Sequence, residues 1–116
     1  MTRKRAERLT GYEIRDIPAA RGLVEVGAFD GPNLVCKATG RAEWLALRNL
    51  VQQVYLANSV TALKENSWRC ARCHSSRRLQ IHHRRYRSHG GTHTVDNLEP
   101  LCWDCHRLIH ETERSK

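Results

Sequence analysis

Phenylalanine occurs once in these 116 residues, tyrosine and tryptophan three times each, and aromatics make up only 6% of the chain. A core built from side chains alone would be thin, and so short a chain then leans on a metal, on disulfides or on a second copy of itself. No apolar run approaches the roughly 18 residues that a membrane span requires. The opening MTRKRAERLTGYEIRD is charged and lacks an apolar h-region, which argues against a cleaved secretory signal. Acidic residues are scarce as well: twelve Asp and Glu stand against twenty Lys and Arg, for a formal net charge of +8. That excess favours a polyanion as partner, nucleic acid first, and leaves the fold undetermined.

The cysteines are few but patterned. Cys36 stands alone and reads as a small hydrophobe. The other four form two C-x-x-C pairs, Cys70-Ala71-Arg72-Cys73 and Cys102-Trp103-Asp104-Cys105, with 28 residues between Cys73 and Cys102. With no export signal in view, a reducing, cytoplasmic location is expected and structural disulfides are disfavoured. Two such knuckles suit a tetrahedral four-cysteine zinc site, and their wide separation implies an inserted element. Four thiolates and one Zn²⁺ would lower the net charge from +8 to about +6. Both pairs run on into histidine, His74 and His106, so each also reads as C-x-x-C-H, the attachment signature of c-type haem. Two haems would need large apolar pockets and an export route. Residues 68–116 offer few large apolar side chains and many arginines.

Along the chain, residues 1–10 read as a frayed basic arm. Gly22–Val26 and Asn33–Cys36 read as two short strands with a turn at Asp30-Gly31-Pro32. Trp44, Leu47, Val51, Val54, Tyr55 and, just beyond, Asn58 follow i, i+3, i+4 spacing, which predicts a helix over 41–57 burying that stripe. A second, short helix is expected over 60–65. Composition then changes. From Asn66 to Val95 there is no acidic residue, while seven arginines and five histidines fall in the same stretch. These observations divide the chain into an N-terminal extension, 1–67, and a basic, cysteine- and histidine-rich domain, 68–116.

Within that domain Leu79-Gln80-Ile81-His82-His83 alternates like a strand that ends on two histidines. A flexible loop follows, with Gly90-Gly91 in it. His106 and His110 stand four apart on a helix-compatible segment, so both imidazoles project from one face and can share a metal. The expected unit is ββα, with the zinc on four cysteines standing in for a missing core and the histidines gathering a second, more exposed cation. Trp68 and Trp103, beside or within the knuckles, are expected to pack over the sulfurs. His89 and His93 are expected in the solvated loop, and His74 on the surface.

Residues 68–113 resemble an HNH endonuclease domain of the ββα-metal superfamily, through Cys70-x2-Cys73, Ile81-His82-His83, Gly90-Gly91, Asn97-Leu98, Leu101-Cys102-x2-Cys105-His106 and His110. The order H-N-H is then His83, Asn97, His106. The resemblance implies an α+β fold. It implies that His82, often Asp in the family, His106 and His110 ligate a catalytic divalent metal, and that His83 is the general base activating water. Asn97 would orient the loop and the base. Cys70, Cys73, Cys102 and Cys105 match the structural zinc of many members. The imidazole-rich set suits Mn²⁺, Ni²⁺, Co²⁺ or Zn²⁺ better than Mg²⁺. It implies a nuclease that nicks or cuts double-stranded DNA by a one-metal mechanism, leaving 5′-phosphate and 3′-hydroxyl ends, in a bacterial cell or its phage-infected host. Arg77, Arg78, Arg84, Arg85 and Arg87 are the expected phosphate contacts. Neither a membrane nor a small-molecule substrate is expected. The competing reading is a non-catalytic zinc module, held by the four cysteines, that binds nucleic acid, with the histidines as bystanders.

Overall fold

The computed structural model describes residues 1–114. The chain divides into two compact units, residues 1–57 with 92–94, and residues 58–91 with the segment from 95 onward. Among the described residues no helix is long and apolar enough to cross a membrane.

In the first unit, helix α1 (Arg3–Thr10) is followed by strands β1 (Glu13–Ile17), β2 (Val24–Asp30) and β3 (Asn33–Gly40). The strands form an antiparallel meander in the order β1-β2-β3. Helix α2 begins at Glu43. The segment read from sequence as a frayed arm is a capped helix. Thr2 accepts the Arg5 N–H at its start, and Gly11, at φ 77°, closes its end with an N–H donated to Glu7 O. Ala6, Leu9 and Thr10 are buried, and the Arg3 guanidinium reaches Asp16 at 2.6 Å and Glu43 at 2.7 Å. Charge at the remaining positions hid two apolar anchors spaced i, i+3. One core gathers Ala6, Leu9, Ile14, Val26, Ala28, Ala38, Ala46, Leu47, Leu50, Val51 and Val54. Trp44, placed in the buried stripe by its spacing, is instead 55% exposed, and Ala46 and Leu50 fill the core.

Helix α2 runs unbroken from Glu43 to Glu65, where the sequence reading has two helices. The span contains neither glycine nor proline, so nothing in the backbone stops it. Asn66 then caps it, its side-chain amide donating to Ala62 O at 2.8 Å.

The second unit is a ββα hairpin and helix. Strands β4 (Leu79–His83) and β5 (Leu98–Cys102) pair antiparallel, with Leu79 opposite Cys102 and His83 opposite Leu98. Helix α3 (Trp103–Arg114) follows directly. The apolar cluster is small: Cys70, Leu101 and Cys102 are buried, with Ala71, Leu79, Cys105 and Ile109 packed against them. Three of these seven residues are ligand-type cysteines, so side-chain burial alone supports this unit weakly. The fold is α+β, with small antiparallel sheets and the cysteines clustered at one end of the hairpin.

The connection between β4 and β5 makes short 3₁₀ turns at Arg87–His89 and Val95–Asn97. Between them, Thr92–Thr94 belong to the first unit. His93, read as a solvated loop residue, is only 4% exposed. Its backbone N–H donates to Leu9 O, and its ring meets Tyr55 edge-on at 5.0 Å.

Candidate active site

The two C-x-x-C pairs converge. The first sits on a turn closed by His74 N–H to Cys70 O, and Ala71 N–H to Pro100 O ties that turn to β5. The second spans the end of β5 and the first turn of α3. The sulfurs of Cys70, Cys73, Cys102 and Cys105 all lie within 4.8 Å of one another, and Cys73 and Cys102 are 3.5 Å apart. Tetrahedral zinc–thiolate geometry calls for sulfurs roughly 3.8 Å apart. Arg72 and Cys105 donate backbone N–H groups to the sulfurs of Cys70 and Cys102. Burial alone would raise the Cys70 thiol, but backbone hydrogen bonds from Cys73, Cys102 and Arg72 outweigh it and bring the group down to about 6. Cys105 is pushed up to about 12, first by its hydrogen bond with Cys102 and then by desolvation. Four sulfurs this close do not all ionise without a cation among them. The cluster is positioned to hold a metal ion, and its donors are soft.

The second cluster is made of imidazoles. His82 comes from β4 and is 6% exposed. His106 and His110 come from successive turns of α3. Their Nε2 atoms are 3.1 Å apart, and the His82 ring centroid lies 5.3 Å from that of His106 and 6.2 Å from that of His110. One ring nitrogen from each of the three falls within a sphere of mutual distances no greater than 4.8 Å. Two imidazoles on one tetrahedral cation, at about 2.05 Å each, stand roughly 3.3 Å apart, so the His106–His110 spacing suits a shared ion. Burial first, and then the neighbouring His110, lowers the pKa of His106, which keeps its lone pair free to donate.

Successive strand residues face opposite sides, so His82 and His83 would serve one site only where the strand ends. β4 ends at His83. An open cavity of about 300 Å³ is lined by both residues, and His106 and His110, Tyr86 and Arg87 also border it. His83 is half-buried. That burial, and then the Arg87 charge, holds its pKa below the ordinary value of 6.5. Asn97 sits across the hairpin. Its carbonyl accepts the Arg84 N–H at 2.8 Å, and its side chain makes two hydrogen bonds to the Arg85 backbone.

The five arginines named from sequence do not share one environment. Arg87 borders the histidine cavity. Arg84 leans on Glu99 at 3.4 Å, and the Arg85 guanidinium folds back onto His89 O at 2.6 Å. Arg77 and Arg78 are exposed on the turn before β4. His74 is exposed, as expected. Trp68 and Trp103 are 51% and 41% exposed, and Arg107 lies over the Trp103 ring. Tyr86 is a site residue that the sequence reading misses. Its ring stacks on His110 at 5.9 Å and meets His82 edge-on at 5.8 Å. Its place three residues beyond the His-His pair is the signal that pointed to it.

Residues 70–112 match the family model described as HNH endonuclease. No curated protein and no solved structure matches the chain.

Proposed function

We propose that the HNH domain this chain carries at residues 70–112 hydrolyses phosphodiester bonds in double-stranded DNA, with His83 as general base and His82, His106 and His110 as holders of one divalent cation. The observation that carries the reading is the convergence of three imidazole nitrogens within 4.8 Å in a cavity that His83 also borders. When bound there, the cation supplies Lewis acidity toward the phosphate and the leaving 3′-oxygen. The protein's own residues do the rest. A neutral His83, its pKa held down by burial and Arg87, accepts the proton of an attacking water. Arg87, at the edge of the same cavity, contacts a phosphate oxygen. Arg77, Arg78, Arg84 and Arg85 extend the positive surface that tracks the backbone. Asn97 fixes the start of the loop that follows the base.

In the same reading the four cysteines hold zinc, whose role is structural: all four positions are filled by protein and none is open to substrate. The three-histidine set leaves positions open, as a catalytic site requires, and suits Mn²⁺, Ni²⁺, Co²⁺ or Zn²⁺ ahead of Mg²⁺. The products carry 5′-phosphate and 3′-hydroxyl ends.

Supercoiled plasmid incubated with the protein and Mn²⁺, Ni²⁺ or Mg²⁺ tests the proposal. The native protein is expected to relax or linearise the plasmid. His83→Ala is expected to slow this by 10²-fold or more, the usual weight of a general base, with unchanged zinc content and DNA binding. Equal nicking by both proteins would remove His83 as the base, and no nicking by either would leave a zinc module that only binds nucleic acid.

A further inference from the structure

A second open cavity, of about 350 Å³, is lined by Trp103, His106, Arg107, His110 and Glu111. His106 and His110 therefore border two cavities, one toward Arg87 and the other toward Trp103. The two differ in chemistry. Toward Arg87, residues 84–95 carry Arg84, Arg85 and Arg87 and no acidic residue, with Arg84 alone of the three drawn to a carboxylate across the hairpin, Glu99 at 3.4 Å. Toward Trp103, the single arginine is compensated, since Arg107 Nε donates to Glu111 Oε1 at 2.9 Å. The same guanidinium lies 5.3 Å from the centroid of the Trp103 ring. What this second side offers is a tryptophan that is 41% exposed, its ring approached by Arg107 on one side, beside a neutralised ion pair. That combination suits a flat, uncharged, polarisable group and is a poor receiver for a phosphate.

The backbone that carries the indole is also anchored. Trp103 lies between Cys102, which is buried in the core at the end of β5, and Cys105. Its backbone is thus fixed by the cysteine cluster, and little ordering remains to be done when a ligand stacks on it.

We propose that Trp103, flanked by the Arg107–Glu111 pair, is a stacking subsite for a nucleobase adjacent to the phosphate that reacts at the histidines. The proposal rests on the nuclease reading for the position of that phosphate. A base reaching the indole has left the duplex stack, so the subsite selects strands that are unpaired or easily opened beside the cleaved bond, where extrusion costs least. The phosphate then lies on the Arg87 side of His106 and His110, and the base on the Trp103 side.

The test uses the full chain carrying Trp44→Phe, Trp68→Phe and His83→Ala, so that Trp103 is its only tryptophan. It is titrated with two single-stranded oligonucleotides of equal length and phosphate number, one of thymidines and one of abasic deoxyribose. The thymidine strand is expected to quench Trp103 fluorescence and to bind more tightly. Adding Trp103→Ala should weaken that strand, read by anisotropy, by roughly 5- to 150-fold, the range for one base stacked on an aromatic ring. The abasic strand should change by less than about 2-fold, because its phosphate contacts are untouched. Trp103→Phe, which keeps a ring at the site, should recover most of the thymidine affinity. Equal losses on both strands, no loss on either, or no binding of either strand would overturn the subsite. Plasmid nicking by the native protein is scored separately. Base-dependent loss without nicking leaves the subsite standing and removes the nuclease reading; nicking with no base-dependent loss does the reverse.

Discussion

Asn97 grips the backbone of Arg85 from both sides: its Oδ1 accepts the Arg85 N–H at 2.8 Å and its Nδ2 donates to the Arg85 carbonyl at 3.1 Å. A side-chain amide is the one neutral group that offers an acceptor and a donor at this spacing. The clamp holds the chain two residues after His83, where the hairpin ladder has ended.

Asn97→Ala removes both hydrogen bonds, and Asn97→Asp keeps only the acceptor. Because Arg85 is exposed, water replaces what is lost, and the thermodynamic cost should be about 1 kcal/mol per bond. The cost to cleavage should be larger, since a base misplaced by about 1 Å can slow a reaction 10²-fold. The expected ranking in plasmid nicking is native above Asn97→Asp above Asn97→Ala, with the loss falling on kcat and the melting temperature lowered only modestly. If both variants lost nicking and cooperative melting together, Asn97 would be a fold residue and not a positioning one.

The cysteine cluster predicts a different failure. Cys70 is 1% exposed and belongs to the small apolar cluster that supports the second unit. Cys70→Ser removes one metal ligand and one core member at once. Where the metal-binding energy is folding energy, its loss is not tolerated. The expected outcome is loss of bound metal by elemental analysis and loss of hydrogen-exchange protection across β4, β5 and α3. Amides of β2, packed on a core without ligand cysteines, should stay protected. A Cys70→Ser protein that still melts cooperatively, with the amides of β5 protected, would show that the sulfurs are dispensable.

The grouping of the ligand-type residues is easier to read from sequence than the scaffold of the first unit, and the reason is physical. Cys70, Cys73, Cys102, Cys105, His82, His106 and His110 form two clusters whose ligand atoms are each within 4.8 Å. Ligand spacing within a C-x-x-C turn or along one helical face is short-range and survives in sequence. The strand β1, Glu13-Ile14-Arg15-Asp16-Ile17, escaped because three of its five residues are charged; the strand exists through pairing with β2, which no local pattern announces. Helix α1 escaped for the same reason, its apolar anchors being diluted by arginine and lysine. The burial of His93 depends on contacts with Leu9 and Tyr55, residues about 84 and 38 positions away, and distance along the chain is what a local reading cannot span.

Gly91 is where the loop beyond His83 admits no side chain. A Cβ at this position would lie 1.8 Å from the Arg85 carbonyl oxygen and 2.8 Å from that of Tyr86. Both obstacles are backbone, so neither can swing aside, and the Gly91 N–H is itself bonded to Tyr86 O at 2.8 Å. Gly91→Ala must therefore push apart the segment from Arg85 to Gly91, which carries Tyr86 and Arg87 into the histidine cavity. Overpacking of this kind costs about 1–3 kcal/mol, and nicking should fall with it as Arg87 and the Tyr86 ring are displaced. Gly31→Ala is the comparison. Nothing lies within 4 Å of a Cβ there, and only the φ of 58° opposes it, at about 1–2 kcal/mol. Both variants should melt at lower temperature than the native protein, but only Gly91→Ala should lose cleavage at a temperature where all three are folded. Full nicking by Gly91→Ala under that condition would mean that the close approach of residue 91 to Arg85 has no bearing on the site.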